Sequence, residues 1–200
     1  SVFAALILLA GCTGQPVSSS SENSVQENSE VSELPDDPAV LGTVYGKEAK
    51  CPLSESTPTN PISSYGVQKI TIEKLLYLYN YMYGLDYRII RLANPYGPYQ
   101  RPNGVLGAVT TFTYKALKGE QIQVYGDGSV IRDFIYIEDA IRAILNIVNG
   151  ENKHRTFNLG CGYGTSIKDV LNSIERALNL KLNVVYTAPR AVDVPVNYLD

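Results

Sequence analysis

The sequence predicts an α/β fold for the stretch from about residue 42 to the C-terminus. Three observations predict it. Short apolar runs alternate there with stretches of helical period, the pattern of strands interleaved with helices. Glycines stand where the helical stretches end, at Gly84, Gly119 and Gly150, and a glycine past the last turn is a common helix stop. The 200 residues are 44% hydrophobic and 18% charged, a globular balance that fits one domain or slightly more.

The elements follow in chain order. Residues 3–10 form an apolar run of eight. That is far short of the roughly 20 residues that span a bilayer, but it has the length of a signal-peptide core. With Leu9-Ala10-Gly11-Cys12 at its end, the run resembles the lipobox leader of bacterial lipoproteins, in which the cysteine is acylated; a short buried strand or helix ending at Gly11 is the other reading. Residues 15–41 are rich in Ser and Glu and too polar to build a core, so they read as a disordered linker. The expected organisation is therefore a leader-like segment at 1–14, a linker at 15–41 and a folded region at 42–200.

In the folded region a helix is expected over 61–83, with Asn60 as N-cap and Pro61 at the first helical position. Residues 86–92 read as a buried strand, and 105–118 as a second helix. Residues 121–125 and 130–136 read as two short strands about Asp127-Gly128, a hairpin-type turn. A helix over 137–149, a strand over 156–159, a helix over 167–178 capped by Ser166, and a strand over 182–186 complete the series.

Charge and cysteine content exclude several function classes. The first 46 residues hold six acids and no Lys or Arg, and the whole chain sums to −3. No polybasic surface for nucleic acid is implied. Cys12, Cys51 and Cys161 are too few and too scattered for a disulfide framework. The single His154 cannot build a histidine metal site, and no metal is expected.

Tyr65 and Lys69 stand four apart in the first helix and so share a face. A phenol with an ordinary pKa near 10 is a poor base at neutral pH. A neighbouring ammonium favours the phenolate. Such a pair can pass a proton to or from a substrate hydroxyl while hydride moves to or from a nicotinamide, and the lysine can also hold a cofactor ribose.

The pair sits within a longer series. Thr43-Val44-Tyr45-Gly46, Asn60-Pro61, Tyr65-Gly66-Val67 with Lys69, Arg91 with Asn94-Pro95-Tyr96-Gly97-Pro98, Tyr125-Gly126-Asp127-Gly128, Arg132-Asp133 and Phe157-Asn158-Leu159-Gly160 follow one another. This series resembles the extended short-chain dehydrogenase/reductase family, and within it the NAD-dependent nucleotide-sugar epimerases of UDP-glucose 4-epimerase type. The resemblance covers about 42–200. It implies part of a Rossmann-type doubly wound sheet with a smaller substrate-binding region.

The resemblance also implies roles. Tyr65 corresponds to the catalytic acid and base, Lys69 to the lysine that holds the nicotinamide ribose, and Pro95 to the wall beside the nicotinamide. Asn94, Arg132 and Arg190 correspond to residues on the substrate diphosphate, which suits the forked guanidinium. Asp193 corresponds to an acid on a nucleotide ribose, and Asp139 to a residue that favours a helix start. The family's usual Ser or Thr in the preceding strand is replaced by Leu41, which leaves Thr43 as the third candidate catalytic group. The implied cofactor is NAD and the implied partner a nucleotide sugar. A homodimer through the helix bearing Tyr65 is also implied, as is a cytoplasmic location, with membrane association only if Cys12 is lipidated.

Nothing in residues 1–46 resembles the Gly-x-x-Gly-x-x-Gly turn with which the family begins, so the first βαβ units are expected to be missing and turnover by this chain alone is not expected. Three other readings stand beside epimerisation. A 4,6-dehydratase would need an acid pair where Leu41-Gly42-Thr43 stand. A 4-ketoreductase shares Tyr and Lys. A catalytically inactive lipoprotein-like fragment or binding module is the reading outside enzymes.

Overall fold

The strand that organises the fold is Tyr-Arg-Ile-Ile-Arg-Leu, β2 (Tyr87–Leu92). Its side chains alternate between two faces. Tyr87 and Ile89 pack with Leu76 of helix α1 (Ser64–Tyr83). Ile90 packs on the other side with Ala140 of helix α3 (Ile137–Asn149) and with Leu159. A strand buried on both faces commonly reads as an apolar run; here Arg88 and Arg91 interrupt it, and Arg91 is buried with a partner, Glu73 of α1. The computed structural model describes residues 5–9, 44–47, 49–102, 107–189 and 194–200.

β1 (Ala5–Leu9) and β7 (Thr156–Leu159) flank β2, both parallel to it, in the order β1-β2-β7. Part of the N-terminal apolar run thus stands in the sheet as a strand. Cys12 and the polar stretch to residue 43 lie outside the described residues. β3 (Asn94–Tyr96) leaves the end of β2 and pairs in parallel with β6 (Phe134–Tyr136).

The second packed layer is built from β4 (Ile122–Tyr125) and β9 (Val184–Thr187), which pair in parallel. Helices α2 (Ala108–Lys118) and α4 (Ile167–Leu178) supply Ala116, Val170, Leu171 and Ile174 to its core beside Ile122 and Val124. A third small sheet joins β5 (Ile131–Arg132) to β10 (Val196–Asn197) in parallel and to β8 (Thr165–Ser166) antiparallel.

Three sequence expectations change. α1 begins at Ser64, not at residue 61, and its cap is Ser63, whose Oγ accepts from the Gly66 amide at 3.1 Å. The Asn60-Pro61 stretch instead packs on Gly46, which has φ +83°; a Cβ on Gly46 would meet the Asn60 carbonyl oxygen at 2.1 Å. The α2 helix starts at Ala108 rather than at 105. Asp127-Gly128 does not join a hairpin. Asp127 Oδ1 accepts from the Ser129 amide at 2.9 Å, a local turn, while β4 pairs with β9 and β5 with β10 and β8. The turn chemistry is as expected, but both strands take partners far along the chain. The second strand of that expected hairpin, over 130–136, is itself divided at Asp133 into β5 and β6, which join different sheets. The remaining boundaries differ by two residues or fewer, and α3 and α4 match as expected, with Ser166 Oγ accepting from Asp169 N at 3.0 Å.

Candidate active site

The site is assembled at the C-terminal ends of the parallel strands, where α/β sheets bind ligands. Tyr65 and Lys69 lie in the first turns of α1, both half-buried, with Lys69 Nζ 4.9 Å from the centre of the Tyr65 ring. The four-residue spacing does bring them together. Glu73, four residues further, continues the same side of the helix. It is met by Arg91, whose Nε and Nη2 donate to its two carboxylate oxygens at 2.9 and 2.7 Å.

Asn94 opens β3. Its backbone N–H and its Nδ2 both donate to the carbonyl of Asp133, at 3.0 and 2.7 Å. This double contact fixes the side-chain amide against β6. Pro95 follows opposite Ile135. A proline has no N–H to give, so it is tolerated in so short a strand. The Pro95 carbonyl accepts from Gln100 Nε2 at 3.4 Å, and Gln100 Oε1 accepts from Thr110 Oγ1, which ties the turn after β3 to α2.

Arg132 is buried. Its Nη1 donates to the carbonyls of Ile131 and Val194 at 2.9 and 2.7 Å. It is therefore no surface arginine. It meets the chain where the segment holding Arg190 and Asp193 returns to the described structure. Thr43, Arg190 and Asp193 lie outside the described residues. Asp139 sits in the first turn of α3 and pairs with Arg142, in keeping with a helix-start role.

Asp133 is the residue that motif reading passed over. Only 1% of it is exposed. Oδ1 accepts from the Cys161 amide at 2.8 Å and Oδ2 from the Leu199 amide at 3.2 Å. Burial pushes its carboxyl up from the ordinary value, against the lowering effect of the amides of Cys161, Leu199 and Gly162. Gly160 is the matching device, since a Cβ there would meet Asp133 Oδ2 at 2.1 Å. The signal in the sequence was the Arg132-Asp133 pair together with Gly160, a charged residue and a distant glycine that only the fold brings together.

The donor set suits one end of a nicotinamide dinucleotide. A phenol and an ammonium on one helix face can hold a ribose and move a proton. A glycine-rich pyrophosphate turn is not found among the described residues. No helix among them is long and apolar enough to cross a membrane.

Comparison with known proteins shows the fold and the family. The model of the NAD dependent epimerase/dehydratase family matches residues 39–160. A putative UDP-glucose 4-epimerase of Methanocaldococcus jannaschii is 36% identical over 159 residues, covering 80% of this chain and 52% of the relative. The crystal structure of UDP-glucose 4-epimerase from Thermotoga maritima with UDP-glucose aligns with a TM-score of 0.74 at 36% identity, over 78% of this chain and 50% of that one. The UDP-glucose 4-epimerase of Thermus thermophilus in complex with NAD aligns with a TM-score of 0.71 at 30% identity, over 80% of this chain and 52% of that one. The chain spans about half the length of the curated relatives it matches. The shared motifs, the parallel sheet with Tyr65 and Lys69 on its covering helix, and these matches make the chain a member of the NAD dependent epimerase/dehydratase family.

Proposed function

We propose that the chain carries the proton-transfer and substrate-binding side of an NAD-dependent 4-epimerase acting on a nucleotide sugar of the UDP-glucose type. The observation that carries this reading is the Tyr65–Lys69 pair at the start of α1, next to a strand end that delivers Asn94 and Pro95. NAD bound at this face supplies a hydride acceptor and, later in the cycle, a hydride donor. Tyr65 Oη takes the C4 hydroxyl proton as the C4 hydride leaves, and returns it to the oxygen when the 4-keto sugar is reduced on its other face. Lys69 holds the ribose of the dinucleotide and favours the phenolate. Asn94, Arg132 and Arg190 hold the nucleotide diphosphate and Asp193 a nucleotide ribose while the hexose ring turns, with Thr43 as the third catalytic group.

The second part of the reading is a homodimer through α1. Leu75, Leu78, Tyr79 and Met82 on this helix are each about half exposed, which is more apolar surface than a monomer helix ordinarily shows to water. The absence of an acid pair at Leu41-Gly42-Thr43 favours epimerisation over 4,6-dehydration.

The experiment is calorimetry with NAD and UDP on the purified chain, followed by conversion of UDP-glucose to UDP-galactose in a fusion that adds the N-terminal half of a relative. The expected result is UDP binding by the parent chain, and interconversion by the fusion that Tyr65→Phe lowers by at least about 100-fold, the scale of general acid–base catalysis. A parent chain that binds neither ligand, or a Tyr65→Phe variant that turns over as the parent does, would overturn the reading.

A further inference from the structure

The mechanism leaves a buried charged group unused. Arg91 is 9% exposed, Glu73 8% and Tyr45 3%. Arg91 stands on the same face of β2 as Tyr87 and Ile89, the face that α1 covers. Its donors go in three directions. Nε and Nη2 clamp Glu73 on α1. Nη1 donates to Tyr45 Oη at 2.8 Å and to the Glu55 carbonyl at 3.4 Å. Tyr45 Oη in turn donates to Asn158 Oδ1 on β7 at 2.5 Å, and Asn158 Nδ2 donates to the Leu53 carbonyl at 2.6 Å.

Three members of this network belong to segments that hold a candidate site residue. Glu73 lies two turns past Tyr65 and one past Lys69. Tyr45 is two residues after Thr43. Arg91 itself is three residues before Asn94. One forked guanidinium therefore links α1, the segment at Tyr45 and the end of β2. Burial works against the charge on Arg91, but the hydrogen bonds to Glu73 and Tyr45 outweigh it and hold the proton more firmly than usual. A buried ion pair is a weak source of net stability, so stability alone is a poor account of why one sits here.

We propose that Arg91, through Glu73 and Tyr45, is a positioning residue that fixes the Tyr65–Lys69 face of α1 against the Tyr45 segment and the end of β2 that leads to Asn94. This rests on the functional reading above for its purpose, but not for its test. A lysine cannot reproduce it, because an ammonium lacks the planar fork that holds two oxygens of one carboxylate while reaching a third group. The spacing between Tyr65 and Lys69 is set by the helix and does not depend on Arg91. What depends on it is where that face points.

The test uses the full chain labelled with 3-fluorotyrosine, with the 19F resonance of Tyr65 assigned from Tyr65→Phe. Arg91→Lys is expected to move or broaden the Tyr65 resonance while leaving Tyr125 and Tyr186, in the α2–α4 layer, in place. Leu76→Ala removes core packing from the same helix and should lower Tm without moving Tyr65. If Arg91→Lys leaves Tyr65 where it was, or Leu76→Ala moves it as far, Arg91 is structural only and the proposal fails. Should Arg91→Lys not fold, Tyr45→Phe removes a single hydroxyl from the same network and must still move the Tyr65 resonance for the proposal to stand. In the fusion that adds the N-terminal half of a relative, with substrate and dinucleotide present, Arg91→Lys should lower kcat by about 100-fold, the cost of a small misplacement, with KM little changed. A parent chain that binds neither ligand counts against the functional reading alone, since the Tyr65 resonance is read without ligand.

Discussion

Asp133 serves the site without touching a substrate. Its backbone carbonyl holds Asn94 by two hydrogen bonds, and its carboxylate gathers the amides of Cys161 and Leu199. Burial raises its pKa in the folded state. The folded state then binds the proton more tightly than the unfolded chain does. The contribution of this group to stability is therefore fully present at and below the ordinary carboxylate pKa, about 4, and is lost as pH rises through the raised value. Asp133→Asn removes this dependence, but it turns an amide donor toward backbone N–H groups that need an acceptor. The expected result is a lower Tm at neutral pH and a flatter Tm profile upward from about pH 4, read by thermal melts across that range. An unchanged profile would mean that the carboxyl titrates alike in both states. Tyr65 and Lys69 were legible because their spacing is local. Asp133 was not, since its partners lie 28 and 66 residues away.

At the scale of the element, helix α1 shows how far local signals reach. Asn60 and Pro61 make a good cap and first turn by chemistry, yet the helix begins at Ser64 because residues near 60 are held against Gly46. Ser63 takes the cap instead, with its hydroxyl on the Gly66 amide. Ser63→Ala is expected to cost about 1 kcal/mol and to loosen the turn that carries Tyr65, whereas Asn60→Ala should leave the helix content unchanged; circular dichroism melts of the two variants decide it. α3 and α4 matched expectation because apolar period and glycine or serine signals coincide at their ends, and no distant segment competes. The hairpin failed for the opposite reason. Asp127, Gly126 and Gly128 do form a tight turn, but turn residues report only that the chain reverses locally. Which strand pairs with which is decided by the apolar faces of β4 and β9, about 60 residues apart.

On the scale of the whole molecule, the last seven residues act as a strap. Leu199 is buried with Val44, Tyr45 and Leu53. The Leu53 amide donates to Tyr198 O at 3.0 Å, and the Asp200 amide donates to Leu53 O at 2.9 Å. β10 lies on β5 beside Arg132, and the Leu199 amide reaches Asp133. The strap thus joins the segment after Thr43 to the strand that carries Arg132. Leu171, in α4, is as well buried but belongs to the separate α2–α4 core. Leu199→Ala and Leu171→Ala should each cost about 2–5 kcal/mol, the range for a leucine cavity. They should differ in where the structure loosens. Amide exchange under native conditions is expected to rise at residues 44–57 and 131–134 in Leu199→Ala, and in α2, β4, α4 and β9 in Leu171→Ala. The Leu199 variant should also weaken UDP binding, because Arg132 and Val194 lose their common support, while the Leu171 variant keeps it at temperatures where it stays folded. The same exchange pattern in both variants would mean that the two cores open as one cooperative unit, and that the strap has no separate hold on the substrate side.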